Sequence, residues 1–211
     1  MRVATPDRAV GHVVDAVRDA LAVREAMLPT WHAEGSDTYR LLHGATEHLP
    51  GCTLDRYGSL LLWQTFREPP CDVAALLPAL RELVCAELPD SPELTPAWTD
   101  RSRGARARAS RAALTAAAAK RHVARELGLR FVVPTPEAAR DPALFLDFRS
   151  GRRWLRRHCD GADVLNVFAY TCAPPLLPTG TTPRGQLMPT PWSMEFLVSD
   201  HLRINPRFKI D

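Results

Sequence analysis

The run Asp163-Val-Leu-Asn-Val-Phe-Ala-Tyr170, followed by Thr171-Cys172 and then a proline-rich stretch, constrains the fold more than any other segment. A continuous β-prone apolar run of this kind reads as a strand buried on both faces, which opens a parallel α/β layer. Such a layer continues through several further strands and helices. The 39 residues from Ala173 to Asp211 contain seven prolines, which preclude a normal helix across the segment. The expected picture is a chain that holds the opening of an α/β layer and then departs from it after Cys172, as a truncated or frameshifted reading of a longer gene would.

The chain has 211 residues, 45% of them hydrophobic, enough for one ordinary core or two small ones. No stretch reaches the roughly 18 apolar residues of a membrane span, and the first residues hold no apolar signal core, so no membrane partner is expected. Five cysteines, Cys52, Cys71, Cys85, Cys159 and Cys172, are odd in number and not closely paired. That usage fits a reducing cytoplasm and argues against a zinc knuckle or disulfide frame.

The formal net charge is only +3, but it is unevenly spread. Between Arg101 and Arg130 stand nine Arg or Lys (Arg101, Arg103, Arg106, Arg108, Arg111, Lys120, Arg121, Arg125 and Arg130) against one acid, Glu126. Arg149, Arg152, Arg153, Arg156 and Arg157 form a second cluster. Polyanion binding is one reading, because each phosphate contact releases counterions. A solvated arginine-rich face is the other.

Val10, Val13, Val14, Val17, Leu21 and Leu28 recur at helical spacing and predict an amphipathic helix ending before Pro29, with a linker from Thr30 to Ser36. Tyr39–Leu42 reads as a strand. Cys52–Tyr57 and Leu60–Phe66, joined by Gly58-Ser59, read as a hairpin whose second strand buries Trp63 and Phe66. Asp72 is the N-cap of a helix with Val73, Leu76, Leu77, Leu80, Leu83, Val84 and Leu88 inward and Pro78 as the source of either a kink or a later helix start. Ser91 to Arg108 lacks periodicity and reads as an extended or mobile connection. Alanine-rich Arg111–Leu127 reads as a helix capped by Gly128, followed by a strand from Leu129 to Val133. Ser150 caps a helix through Arg157, with Trp154 and Leu155 inward.

The fold expectation is α/β. Residues 1–35 form an N-terminal helix and linker, and 36–130 a mixed α+β central domain. Residues 131–172 begin a second domain, and 173–211 form an irregular proline-rich tail.

The sequence has no HExxH, no phosphate-binding loop, no zinc spacing and no nucleophile elbow, so no metal is expected and no catalytic residue is assigned. His43 and His48 read as surface or turn histidines. Cys172 reads by default as an unactivated buried thiol. Asp147 and Arg149, between an apolar run and the next helix, either orient a ligand at a sheet edge or close a structural ion pair.

Three ordered segments resemble the RlmI-like large-subunit rRNA methyltransferases. Arg40-Leu-Leu-His-Gly-Ala-Thr-Glu-His-Leu-Pro-Gly-Cys-Thr-Leu-Asp-Arg-Tyr-Gly58 is similar to that family's Arg-Leu-Val-His-Gly-Glu, spacer, Leu-Pro-Gly, two residues, Val-Asp-Arg-Tyr-Gly. Phe145-Leu-Asp-Phe-Arg149 resembles its Phe-Leu-Asp-Gln-Arg, with Arg152 and Arg153 near its following arginine. Val164–Thr171 resembles Val-Leu-Asn-Leu-Phe-Ala-Tyr-Thr, the first strand of its S-adenosylmethionine domain.

The resemblance implies a central domain that presents RNA, then the start of a Rossmann-like methyltransferase domain. It implies S-adenosyl-L-methionine as cofactor, with Phe168, Tyr170 and Thr171 on its side and Asp147 and Arg149 in support. Resemblance and charge together place Arg40, Arg56, Arg101, Arg103, Arg106, Arg108, Lys120, Arg121 and Arg125 toward RNA, in the first place rRNA, and no DNA partner is expected. An uncovered sheet edge would favour self-association.

Family sequence after Tyr-Thr is glycine-rich, whereas here Cys172 leads into Ala173-Pro174-Pro175. The chain alone is therefore expected to turn over little or not at all. The competing expectations are a noncatalytic RNA-binding remnant and a nonfunctional truncated product.

Overall fold

Val13, Val17, Ala20 and Leu21 lie on one stripe of a helix, α1 (Pro6–Arg24), and are buried where it meets a sheet. The computed structural model describes residues 6–88, 93–102, 121–134 and 144–158. They belong to two compact units, Met1–Pro142 and Ala143–Asp211.

In the first unit, α1 is followed by α2 (Leu28–Ala33), β1 (Thr38–Leu42), β2 (Cys52–Tyr57) and β3 (Leu60–Thr65). Then come α3 (Val73–Glu87), β4 (Thr95–Asp100) and a hairpin of β5 (Arg121–Glu126) and β6 (Leu129–Pro134). Strands β1 to β4 form one sheet in that order, antiparallel except for the parallel β3–β4 pair. The α3 helix is the crossover that a parallel pair requires.

One sheet face is apolar. Tyr39, Leu41, Leu42, Leu54, Leu61, Trp63 and Trp98 pack there with the inward stripes of α1 and α3. Each fully buried leucine of this kind contributes about 2 kcal/mol. Two strands expected as a hairpin pair as expected, with Cys52 opposite Thr65 and Tyr57 opposite Leu60. Asp72 caps α3 by accepting the Ala74 N–H at 3.0 Å.

Several elements differ from expectation. Pro29 opens α2 instead of closing α1, because the first helical turn has no use for the missing N–H. The linker therefore begins after Ala33. The segment read as an extended or mobile connection contains β4, an edge strand whose Pro96 sits opposite Leu61. An edge strand tolerates proline where an inner one does not.

The helix expected to run to Leu127 is contradicted over Arg121–Glu126, which is β5; its earlier part lies outside the described residues. His122, Ala124 and Glu126 are buried while Val123 and Arg125 are exposed, an alternation of period two. Phe66 lies just past β3 and is exposed, not buried.

In the second unit a 3-10 turn, Leu146–Phe148, leads into α4 (Arg149–His158). Trp154 is exposed rather than inward and stacks on His158 one turn later, with ring centroids 4.5 Å apart. The strand expected over Asp163–Tyr170 lies outside the described residues.

Candidate functional site

The second face of the sheet mixes the buried apolar Leu60, Leu62 and Ala97 with polar side chains. Arg40, Thr53, Asp55, Gln64 and Thr99 share it by register. Arg40 binds Asp55 through two parallel hydrogen bonds, Nε to Oδ1 at 2.7 Å and Nη2 to Oδ2 at 3.0 Å. The Gln64 amide donates to Asp55 Oδ2 at 3.0 Å. Burial pushes the Asp55 carboxyl above its ordinary value, against the pull of Arg40 and Gln64. Arg40 keeps 37% of its side chain exposed, so the ion pair anchors one side of a guanidinium that still reaches the surface.

Arg56, one residue along β2, takes the opposite direction. It is buried and donates to Gly58 O at 3.1 Å and to the Tyr39 hydroxyl at 2.7 Å. The same hydroxyl meets His32 Nε2 at 3.0 Å, and the Tyr39 ring stacks on Trp31. Arg56 is therefore a strut between α2, β1 and the β2–β3 turn, which leaves no path for an RNA phosphate to reach it.

At the carboxyl ends of the parallel strands, Arg101 lies over the exposed Phe66 ring at 5.3 Å from its centroid. The Arg101 N–H donates to Thr65 O at 2.6 Å, which fixes the backbone there. A cation stacked on an open aromatic face is a common surface for nucleobases and sugar edges.

Arg125 is exposed on β5, and the hairpin that carries it is docked firmly. Ser36 Oγ accepts the Leu127 N–H at 2.9 Å, and the Arg125 backbone bonds Asp37 in both directions. Ser59 Oγ meets His122 Nδ1 at 2.9 Å. Gly58, at φ 58°, has the Val123 carbonyl where a Cβ would stand, so this turn and the hairpin fit only with glycine. Arg121 is the first residue of β5; Arg103, Arg106, Arg108 and Lys120 lie outside the described residues.

Of the residues expected near a cofactor, Phe168, Tyr170 and Thr171 also lie outside the described residues. Asp147 is exposed and Arg149 is buried, and no ion pair joins them. The adjoining Arg152 is the structural arginine: it donates to Phe145 O at 2.7 Å and covers the Phe148 ring at 5.9 Å. Gly151 has the Phe148 ring where a Cβ would point, so the turn folds back over the first turn of α4. Sequence reasoning ranked Asp147 and Arg149 together and named Arg152 only as part of the arginine cluster and the family motif; its place one helical turn after Phe148 was the available signal for its structural contact.

A groove of about 640 Å³ runs between α1 and the β1–β2 loop, lined among others by His12, Asp19, Met27, Thr46 and His48. None of the expected site residues lines it. Its floor is set by Arg24, which donates to Ala20 O, Arg40 O and Glu47 Oε1 at 2.8, 3.1 and 2.9 Å. Burial would raise the Glu47 carboxyl, but hydrogen bonds from Thr46, Arg24 and the Gly44 N–H, with the Arg24 charge, hold it below its ordinary value. Burial, with the neighbouring Cys71, pushes the Cys52 thiol up to about 11, which leaves it an inert core group. Among the described residues no group of three His, Cys, Asp or Glu could hold a metal, and no helix is long and apolar enough to cross a membrane.

Comparison with known proteins gives a consistent result. A family model described as S-adenosylmethionine-dependent methyltransferase matches residues 39–178. A ribosomal RNA large subunit methyltransferase of Deinococcus radiodurans is 31% identical over 159 residues, covering 72% of this chain and 37% of the relative. The ribosomal RNA large subunit methyltransferase I of Shigella flexneri is 32% identical over 145 residues, covering 65% and 34%. The chain thus spans roughly a third of the length of these relatives. A SAM-dependent methyltransferase from Streptococcus mutans has a similar fold, with a TM-score of 0.56 at 19% identity over 82% of this chain and 42% of that one. A second structure with the same TM-score is a methyltransferase complexed with SAH.

Proposed function

The chain belongs to the S-adenosylmethionine-dependent methyltransferase family, and from that premise we propose that it forms the RNA-presenting part and the cofactor-domain entrance of a large-subunit rRNA methyltransferase. The observation that carries this reading is the family match through residues 39–178, which runs from β1 into the second unit. Its relatives' names supply the substrate class, ribosomal RNA of the large subunit.

In this reading the first unit holds RNA. Arg40, Arg101 and Arg125 reach the surface from three separate elements, and Arg103, Arg106, Arg108, Lys120 and Arg121 extend the same basic stretch. Arg56 is left to its structural task. Phosphate contacts of this kind position an RNA without reading its bases.

The second unit begins the cofactor side. S-adenosylmethionine supplies, when bound, an electrophilic methyl group on a sulfonium. The exposed carboxylate of Asp147 has no partner among the described residues and fits a group that accepts hydrogen bonds from such a ligand. Arg149, buried at the start of α4, orients that turn, and Phe168, Tyr170 and Thr171 complete the side. Methyl transfer needs donor and acceptor held in line by a full pocket. Because the match covers only about a third of these relatives, little or no turnover is expected from these residues alone.

Titration calorimetry and filter binding on the 211-residue chain test the reading. Binding of a large-subunit rRNA fragment that weakens steeply with salt is expected, with weak uptake of S-adenosylmethionine. Absence of salt-dependent RNA binding would overturn it. Tight cofactor binding with no affinity for RNA would move the chain's task to the second unit.

A further inference from the structure

The β5–β6 hairpin sets two positive charges where a β-ladder brings side chains closest. Arg125 and Arg130 are directly opposed. The Arg125 N–H donates to Asp37 Oδ1 at 2.6 Å and its carbonyl accepts from the Asp37 N–H at 3.0 Å, so both backbone groups are turned away from β6. That makes the rung a non-hydrogen-bonded one, in which opposed Cα atoms stand about 4.5 Å apart instead of about 5.5 Å. Like charges at such a rung destabilise the ladder.

Among the described residues no acidic side chain offsets the repulsion. Both arginines are exposed, and neither guanidinium has an ion-pair partner among the described residues. Asp37 Oδ1 already serves the Arg125 N–H and the Thr38 hydroxyl, while Glu126 is buried on the other face of the hairpin. Val123 and Val132, the next opposed pair on the outward face, are 41% and 44% exposed. Ser36, Asp37 and Ser59 pin β5 along its length, which holds this face of the hairpin in a fixed place on the first unit.

We propose that this outward face is a phosphate clamp for an RNA backbone, one phosphate lying between Arg125 and Arg130 and the adjoining ribose resting on Val123 and Val132. The proposal rests on the RNA reading above and deepens it. Two guanidinium forks match a phosphate's oxygens, and the bound anion converts a repulsive rung into a bridged one. The excess of Arg and Lys over acid from Arg101 to Arg130 favours a polyanion over an acidic protein as the occupant. Because the clamp touches backbone only, it carries no sequence preference.

The test uses the full chain and a fluorescein-labelled hairpin RNA from the large ribosomal subunit, read by anisotropy across a salt series. Arg125→Gln with Arg130→Gln should weaken binding about tenfold near 0.1 M salt and reduce the slope of log K against log salt by about one. The pair Arg8→Gln and Arg18→Gln on α1 removes the same charge and should leave the slope unchanged. Arg130→Gln alone should raise the melting temperature, which separates lost binding from lost folding. If the wild-type chain binds RNA and the hairpin variant binds it with the same slope, the clamp is overturned and the RNA reading stands. If the wild-type chain shows no salt-dependent RNA binding, both fall. If polyglutamate binds in place of RNA and is lost in the hairpin variant, the face is a protein dock and the clamp is overturned.

Discussion

Glu47 accepts hydrogen bonds from Arg24, the Thr46 hydroxyl and the Gly44 N–H, joining the end of α1 to the β1–β2 loop. Its pKa is lower in the folded chain than the ordinary 4.5, so the stability it contributes is complete above that value and is lost as pH falls through the folded pKa. Glu47→Gln should cost about 1–3 kcal/mol at neutral pH, since a charge-assisted acceptor is lost. Urea midpoints between pH 6 and about pH 3 should then fall less steeply than those of the wild type; parallel slopes would show that Glu47 is not the titrating group. Gly58→Ala should cost about 2 kcal/mol or more, because φ 58° is unfavourable for alanine and the Val123 carbonyl that blocks its Cβ is backbone and cannot rotate away. A urea midpoint equal to that of the wild type would mean that the hairpin is not seated on this turn. At this scale the sequence was partly legible. Asp55 and Arg56 are adjacent in a strand, so they had to point to opposite faces, and resemblance with charge, which expected Arg40 and Arg56 together at RNA, did not separate the exposed arginine from the buried one.

At the scale of elements, apolar periodicity identified α1 and α3, and the glycine turn identified β2–β3. It failed where one residue serves two structures. Gly128, at φ 79°, supplies the left-handed conformation that ends a helix or turns a two-residue hairpin. The alanine-rich residues before it favoured the helix, while the buried alternation His122, Ala124, Glu126 decided for the strand. Leu127 also adopts positive φ, at 52°, an unusual state for leucine that its burial and its N–H bond to Ser36 accompany. No turn residue marked Leu127, so Gly128 alone did not distinguish a hairpin turn from a helix end. In α3, Pro78 is exposed and sits inside the helix, where it removes the bond to the Ala74 carbonyl. Pro78→Ala should therefore stabilise the chain by about 1–2 kcal/mol, the helix gain being partly offset by a freer unfolded state. An unchanged or lower urea midpoint would mean that the packing of α3 on α1 depends on Pro78.

Across the whole molecule, the buried apolar cluster runs from Val13 to Trp98 and so lies entirely in the first unit. The family motifs, by contrast, extend across the division at Pro142 and Ala143. Strand alternation and local motifs are short-range signals, so the sequence did not show how β4 pairs in parallel with β3 across the α3 crossover. Since folding stability resides in that cluster, residues 1–142 should unfold in one cooperative urea transition with the midpoint of the full chain. The same fragment should keep the salt-dependent affinity for RNA, because Arg40, Arg101, Arg125 and Arg130 all lie within it. It should lose any uptake of S-adenosylmethionine, because Asp147 and Arg149 do not. A fragment that folds cooperatively but no longer binds RNA would place the RNA surface beyond residue 142 and separate it from the basic elements of the first unit. A fragment that fails to fold would show instead that the second unit completes the first, and that the apolar cluster between α1, α3 and the sheet is not sufficient by itself.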